Sequence, residues 1–254
     1  MTPSRKFAVI LLAALAGAAV TAFSVRAQLQ GQPGAPPPVV AGLPPVNRNL
    51  IVLDPAHGAG DGGAVLGDHV LEKDITLAIA SRLKAALAAD GFNVVTTRDT
   101  GGSDLLSADQ RAETANRAHP VACIVLHATA TGSGVHIYTS PLPPPPAPNQ
   151  TTNTPPVFVP IPWETAQAVF VGQSHDLATG LSTALSKDHL PALVGQAPIR
   201  PLDNLMCPAV AIELAPLPAP GVGATQPTDA SYQQQVANAL AAAIQAWRAQ
   251  RWPQ

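Results

Sequence analysis

The stretch Ile51–Gly67, IVLDPAHGAGDGGAVLG, decides how the rest of the chain is read. Three apolar residues run into Asp54-Pro55, and His57 then stands among five glycines. An apolar run closed by Asp-Pro predicts a short buried strand, Leu50 to Leu53. Glycines let the backbone come close to a bound group, and a histidine at a strand end can reach it. The next segment, LEKDITLAIASRLKAALAADG, sets Ile75, Leu77, Ile79, Leu83 and Leu87 at helical spacing, with Gly91 at the helix end. Glu72 and Asp74 fall in the first turn, where acids suit the helix dipole. Strand, glycine loop and helix in that order begin an α/β fold.

Working outward, FNVVTTR predicts a second strand, and Ser107 an N-cap for a helix over Ala108 to Ala118. VACIVLH is almost wholly apolar and β-branched, which predicts a central strand covered on both faces. GVHIYTS reads as a fourth strand, Trp163 to about Ser186 as a helix, Ala209 to Glu213 as a last strand, and Thr228 to Gln250 as a closing helix. Together these predict a single α/β domain over residues 47–254, with a mostly parallel twisted sheet of about six strands and helices on both faces. Residues 141–162 are too long and too rich in proline for a tight connection and read as a surface insertion.

The chain has 254 residues, a net charge of −2 and 46% hydrophobic residues. Without a basic excess it lacks a nucleic-acid footprint. Residues 1–27 carry Arg5 and Lys6, an apolar run from Phe7 to Phe23, and small residues before Gln28. That is the pattern of a cleavable signal peptide, and an uncleaved anchor stays open because the run is at the lower edge for spanning a bilayer. Either way the expected location is the periplasm or cell envelope, with no stable membrane association once the signal is cut. Residues 28–46 read as a Pro/Gly-rich linker. In an exported chain Cys123 and Cys207 are free to form a disulfide; two small buried thiols fit the sequence as well.

In α/β sheets ligands bind beyond the carboxyl ends of the strands. His57 follows the first strand, His127 ends the third and Glu213 ends the last, while Glu72 opens the helix that leaves the glycine loop. Two histidines and a carboxylate form a catalytic zinc set with one position left for water. A second carboxylate beside that water serves as general base and then acid. On spacing alone, bland readings remain open: a turn histidine, a dipole-paired acid, a histidine closing an apolar strand. Asp54 reads as holding the loop or orienting His57 from behind, Asp61 and Asp68 as turn residues, and Arg98 and Arg111 as structural. His136 lies near the site by sequence, in reach of substrate. His69 is a weak competitor of Glu72, and His119, His175 and His189 read as solvent-facing.

The ordered series IVLDPAHGAGDGGAVLG, LEKDITLAIASRLKAAL, VVTTRDT, SADQRAETANRA, IVLHATATGSGVHIY and PAVAIEL resembles the zinc-dependent N-acetylmuramoyl-L-alanine amidases of the amidase 3 type. The resemblance implies one Zn²⁺ per chain on His57, Glu72 and His127, with Glu213 as the catalytic carboxylate. It implies peptidoglycan as substrate and hydrolysis of the amide between N-acetylmuramic acid and L-alanine of the stem peptide; an activator protein is left unassigned. The sequence departs from the family pattern at Ala56, where Gly is usual, at Thr129, where Asn is usual, and after Glu213. Two other readings stay open: a related zinc exopeptidase, and a peptidoglycan-binding protein without turnover.

Overall fold

In a computed structural model of the chain, residues 46–67, 69–99, 105–145, 162–218 and 223–252 are described. The signal, almost all of the linker, Asp68, and residues 146–161 of the insertion lie outside them. The elements follow in order: β1 (Asn47–Pro55), β2 (Val65–Leu66), β3 (Val70–Leu71), α1 (Glu72–Ala89), β4 (Asn93–Thr96), α2 (Ala108–Ala118), β5 (Pro120–Ala128), β6 (Val135–Thr139), a 3-10 stretch (Trp163–Phe170), α3 (Val171–Lys187), β7 (Ala192–Gln196), a 3-10 turn (Leu202–Asn204), β8 (Ala209–Leu214) and α4 (Ala230–Arg251).

Six strands form one sheet in the order β4-β1-β5-β8-β6-β7. Neighbours run parallel except β6 and β8, which are antiparallel. The expected mostly parallel sheet is therefore present, and β5 is central as expected. Side chains alternate faces along a strand, so the inner strands feed two cores. Ile124 and Leu126 of β5 join the larger core, built with Ile79 and Leu83 of α1, Leu177 and Leu181 of α3, and Leu240 and Ile244 of α4. Cys123 and Val125 join the smaller one, with Ala112 and Ala115 of α2 and Leu202 and Leu205 from the 3-10 turn. Three helices thus cover one face and α2 the other.

Helix α2 begins where Ser107 predicts. Its hydroxyl accepts the Gln110 amide while the Gln110 side chain accepts the Ser107 amide, a complete capping box. Three features depart from the sequence reading. The helix expected from Trp163 starts as a 3-10 stretch kinked at Thr165. The short β2–β3 hairpin and the edge strand β7 were not expected at all. Strand β7 pairs on one side only among the described residues and exposes Leu193 and Val194, so it carries no alternating apolar signature.

Cys123 and Cys207 form a disulfide across 84 residues, joining β5 to the segment entering β8. A closed loop of that length restricts the unfolded chain strongly. Replacing both cysteines by serine is expected to lower stability by about 2–4 kcal/mol, read as a fall in the urea midpoint at unchanged slope. An unchanged midpoint would show that packing alone holds these strands together.

Candidate metal centre

The glycine loop leaves β1 through a series of carbonyls that point away from any strand partner. Side chains from three elements capture them. Arg111 of α2 donates to the carbonyls of Pro55 (2.9 Å) and His57 (2.6 Å). Arg98, just after β4, donates to those of Pro55 (2.9 Å) and Ala56 (3.1 Å). From α1, Thr76 donates to the Ala56 carbonyl at 3.0 Å and Lys73 to that of Ala59 at 2.8 Å. Both arginines are structural, as the sequence suggested. Asp54 is buried and accepts from Arg111 at 2.7 Å and from the Thr97 hydroxyl. It therefore holds the loop through Arg111, one of its two expected roles, and does not touch the His57 ring.

That ring is oriented by Asp61 instead, whose Oδ2 lies 2.8 Å from His57 Nδ1. Asp61 is also a turn residue, since its Oδ1 accepts the Gly63 amide. These bonds, the His57 contact first, hold the Asp61 carboxyl below its usual pKa. The i,i+4 spacing of His57 and Asp61 in a tight turn was the available signal for this pairing. His57 itself has φ 63°, a conformation costly for a non-glycine residue and held here by the captured carbonyl and the ring contact.

Glu72, the first residue of α1, is where the loop closes. Its Oε2 accepts the Ala64 amide (3.0 Å) and faces His57 Nε2 (3.1 Å). Its Oε1 accepts the Ala128 amide (3.2 Å) and faces His127 Nδ1 (2.9 Å). Burial works to raise the carboxyl's pKa, but the hydrogen bonds from His127, Ala64 and Ala128, with His57 alongside, outweigh it and hold the group ionised. Gly63 makes this closure achievable: a Cβ there would lie 2.6 Å from His57 Cδ2 and 2.7 Å from Glu72 Oε2.

Ligand atoms of His57, Glu72 and His127 thus all lie within 4.8 Å of one another, a set that could hold a metal ion. The donor chemistry fits a cation. With Asp61 taking the Nδ1 proton of His57, Nε2 presents a lone pair to a carboxylate oxygen, a repulsive approach unless a proton or metal ion stands between. His127 Nε2 is buried and has no hydrogen-bond partner among the described residues. Outside the cluster, β8 places Glu213 opposite His127 in register, and His136 on β6 meets Glu213, with Nδ1 3.0 Å from Oε1. His69, His119, His175 and His189 are exposed and take no part.

The sequence profile of the family described as N-acetylmuramoyl-L-alanine amidase (Amidase_3) matches residues 51–246. The chain belongs to this family. The germination-specific N-acetylmuramoyl-L-alanine amidase of Bacillus subtilis is 46% identical over 56 residues, 22% of this chain and 23% of that protein. Over 89 residues the LytC amidase of the same species is 35% identical, covering 35% of this chain and 17% of its own length. The matched segments thus span less than a quarter of these relatives. Among solved structures, Ami1 of Mycobacterium smegmatis superposes with a TM-score of 0.58 at 21% identity, covering 79% of this chain and 97% of its own. The catalytic domain of CwlV from Bacillus (Paenibacillus) polymyxa gives 0.57 at 20%, covering 78% and 97%. These likenesses establish the shared α/β fold.

Arg111 is the buried cation under the whole loop. Arg111→Ala leaves Asp54 buried without its charge partner and should cost about 3–5 kcal/mol. The Asp54→Ala/Arg111→Ala double variant should lose less than the sum of the two single losses, as coupled partners do. Urea unfolding of the four proteins measures this, and simple additivity would mean the two residues act independently.

Proposed function

We propose that the chain is an exported zinc amidase that hydrolyses the bond between the lactyl group of N-acetylmuramic acid and L-alanine of the peptidoglycan stem peptide. The carrying observation is the convergence of His57, Glu72 and His127 with Glu213 in register beside them. Family membership supports the substrate class. The N-terminal signal pattern supports export, and among the described residues no helix is long and apolar enough to cross a membrane.

His57, Glu72 and His127 would hold one Zn²⁺ per chain. Such an ion, when bound, polarises a carbonyl and brings the pKa of a coordinated water near 7. Asp61 fixes the His57 tautomer so that Nε2 remains a ligand. Glu213 is 30% exposed in its side chain, so water reaches it. One carboxylate oxygen takes the proton of the attacking water as the water's oxygen joins the lactyl carbonyl carbon. Glu213 then returns that proton to the alanine nitrogen as the C–N bond breaks. The products are a muramic lactyl carboxylate and a peptide with a free L-alanine amino group.

The purified chain, supplied with zinc and given intact sacculi, is expected to release peptides with N-terminal L-alanine. Glu213→Ala should keep about one zinc per chain by atomic spectroscopy while turnover falls at least roughly 100-fold. His127→Ala should lose the zinc. Full turnover in Glu213→Ala, or unchanged metal in His127→Ala, would overturn the corresponding role. Binding to sacculi with no peptide released would favour a wall-binding protein instead.

A further inference from the structure

Strand β8 carries Glu213 between two histidine-bearing strands. Strand β5 sets His127 opposite it, and β6 sets His136 opposite it from the other side. Directly paired residues on adjacent strands project from the same face, so His127, Glu213 and His136 form a row across the sheet. The first belongs to the metal cluster and the second to the proton transfer proposed above. The third is outside the cluster, yet its Nδ1 lies 3.0 Å from Glu213 Oε1 and its side chain is only 16% exposed.

The His136 ring is held in place. Tyr138 meets it edge-on, with centroids 6.2 Å apart. On another side lies Gly132, at φ 82°, where a Cβ would come within 3.0 Å of His136 Cε1. The segment entering β6 is tied to the segment leaving β8: Gly134 donates to the Pro216 carbonyl at 2.9 Å and accepts the Ala215 amide at 2.9 Å. His136 and Glu213 are therefore fixed relative to each other by these bonds on one side of their contact and by the β6–β8 ladder on the other.

We propose that His136 is a positioning residue for Glu213. The inference rests on the amidase reading, in which Glu213 carries the proton. A carboxylate only accepts hydrogen bonds, so a proton on His136 Nδ1 makes this contact favourable. With Oε1 engaged, the glutamate's torsions are restricted and Oε2 is left to face the water. Restricting a reacting group to its productive orientation lowers the barrier without adding a chemical step.

The test uses the full zinc-loaded chain with His136→Ala and His136→Asn, since the asparagine amide nitrogen can stand near the place of Nδ1. On a soluble muropeptide, His136→Ala is expected to lower kcat roughly 10- to 100-fold, as loss of an orienting partner does. KM and zinc content should stay at parent values. His136→Asn should recover most of the lost kcat. Separately, nitrogen-15 NMR of the parent should show the His136 proton on Nδ1, and Glu213→Ala should shift the ring toward the Nε2–H tautomer. Parent-like kcat in His136→Ala overturns the proposal. So does a His136 proton on Nε2 in the parent that Glu213→Ala leaves unmoved. The tautomer measurement needs no turnover, so a chain inert on peptidoglycan would sink the amidase reading while the His136–Glu213 contact is still decided.

Discussion

A buried carboxylate that stays ionised is the constraint around which the strand ends are built. Glu72 is 5% exposed, and removing an isolated charge from water to this extent is prohibitively costly. Two amides, Ala64 and Ala128, and the His127 imidazole offset that cost, and His57 joins them where a proton or cation stands between its Nε2 and the carboxylate. Those four groups come from the loop and from the end of β5, so satisfying one side chain fixes both. The loop must fold back on the start of α1, which it does through Glu72 N to Ala64 O (2.8 Å) and Lys73 N to Gly62 O (3.1 Å). Gly63 stands at the point of closest approach, where any side chain would displace the ring or the carboxylate.

A loop drawn into this shape needs its own support, because its carbonyls face no strand. Arg98, Arg111, Thr76 and Lys73 supply donors from β4's end, α2 and α1. The result links fold to site directly: α2, the only α-helix on its face of the sheet among the described residues, is pinned beneath the loop by Arg111 and Asp54. The same helix packs Ala112 and Ala115 against the smaller core, which the Cys123–Cys207 bridge closes. His127 lies four residues beyond Cys123 on β5 and on the same face, so the bridge, the small core and the site are stacked along one strand.

How much of this could be read in the sequence depended on how local each signal was. The capping residues at Ser107 and Gln110, the 3.6-residue spacing of α1 and the unbroken apolar run of β5 are local, and each was legible. The residues of the metal set were legible because the ordered motifs resemble a known family, not because their spacing is compact. Strand β7 was not, since an edge strand with exposed Leu193 and Val194 shows no buried face. For Asp54 the sequence left two roles open, and Arg111, 57 residues away, decides for the loop by claiming its carboxylate. The contact between His136 and Glu213 was hidden for a related reason: it depends on β6 running antiparallel beside β8, and strand order and direction are not written in either segment.

The site holds two glutamates whose chemical difference comes wholly from their surroundings. Glu72 accepts from or faces four groups, and both its oxygens are committed. Glu213 is hydrogen-bonded to His136 and, 30% exposed in its side chain, retains access to water. A fully committed carboxylate makes a rigid ligand and a poor base, because any proton it took would break the bonds that justify its burial. A carboxylate with one oxygen fixed and one open can take a proton and return it without disturbing the fold. Under the proposed function the same side chain would thus serve two roles, divided by environment. The division follows from position: one glutamate opens a helix packed against a folded-back loop, and the other lies near the end of a strand, past the part of its face that the smaller core covers.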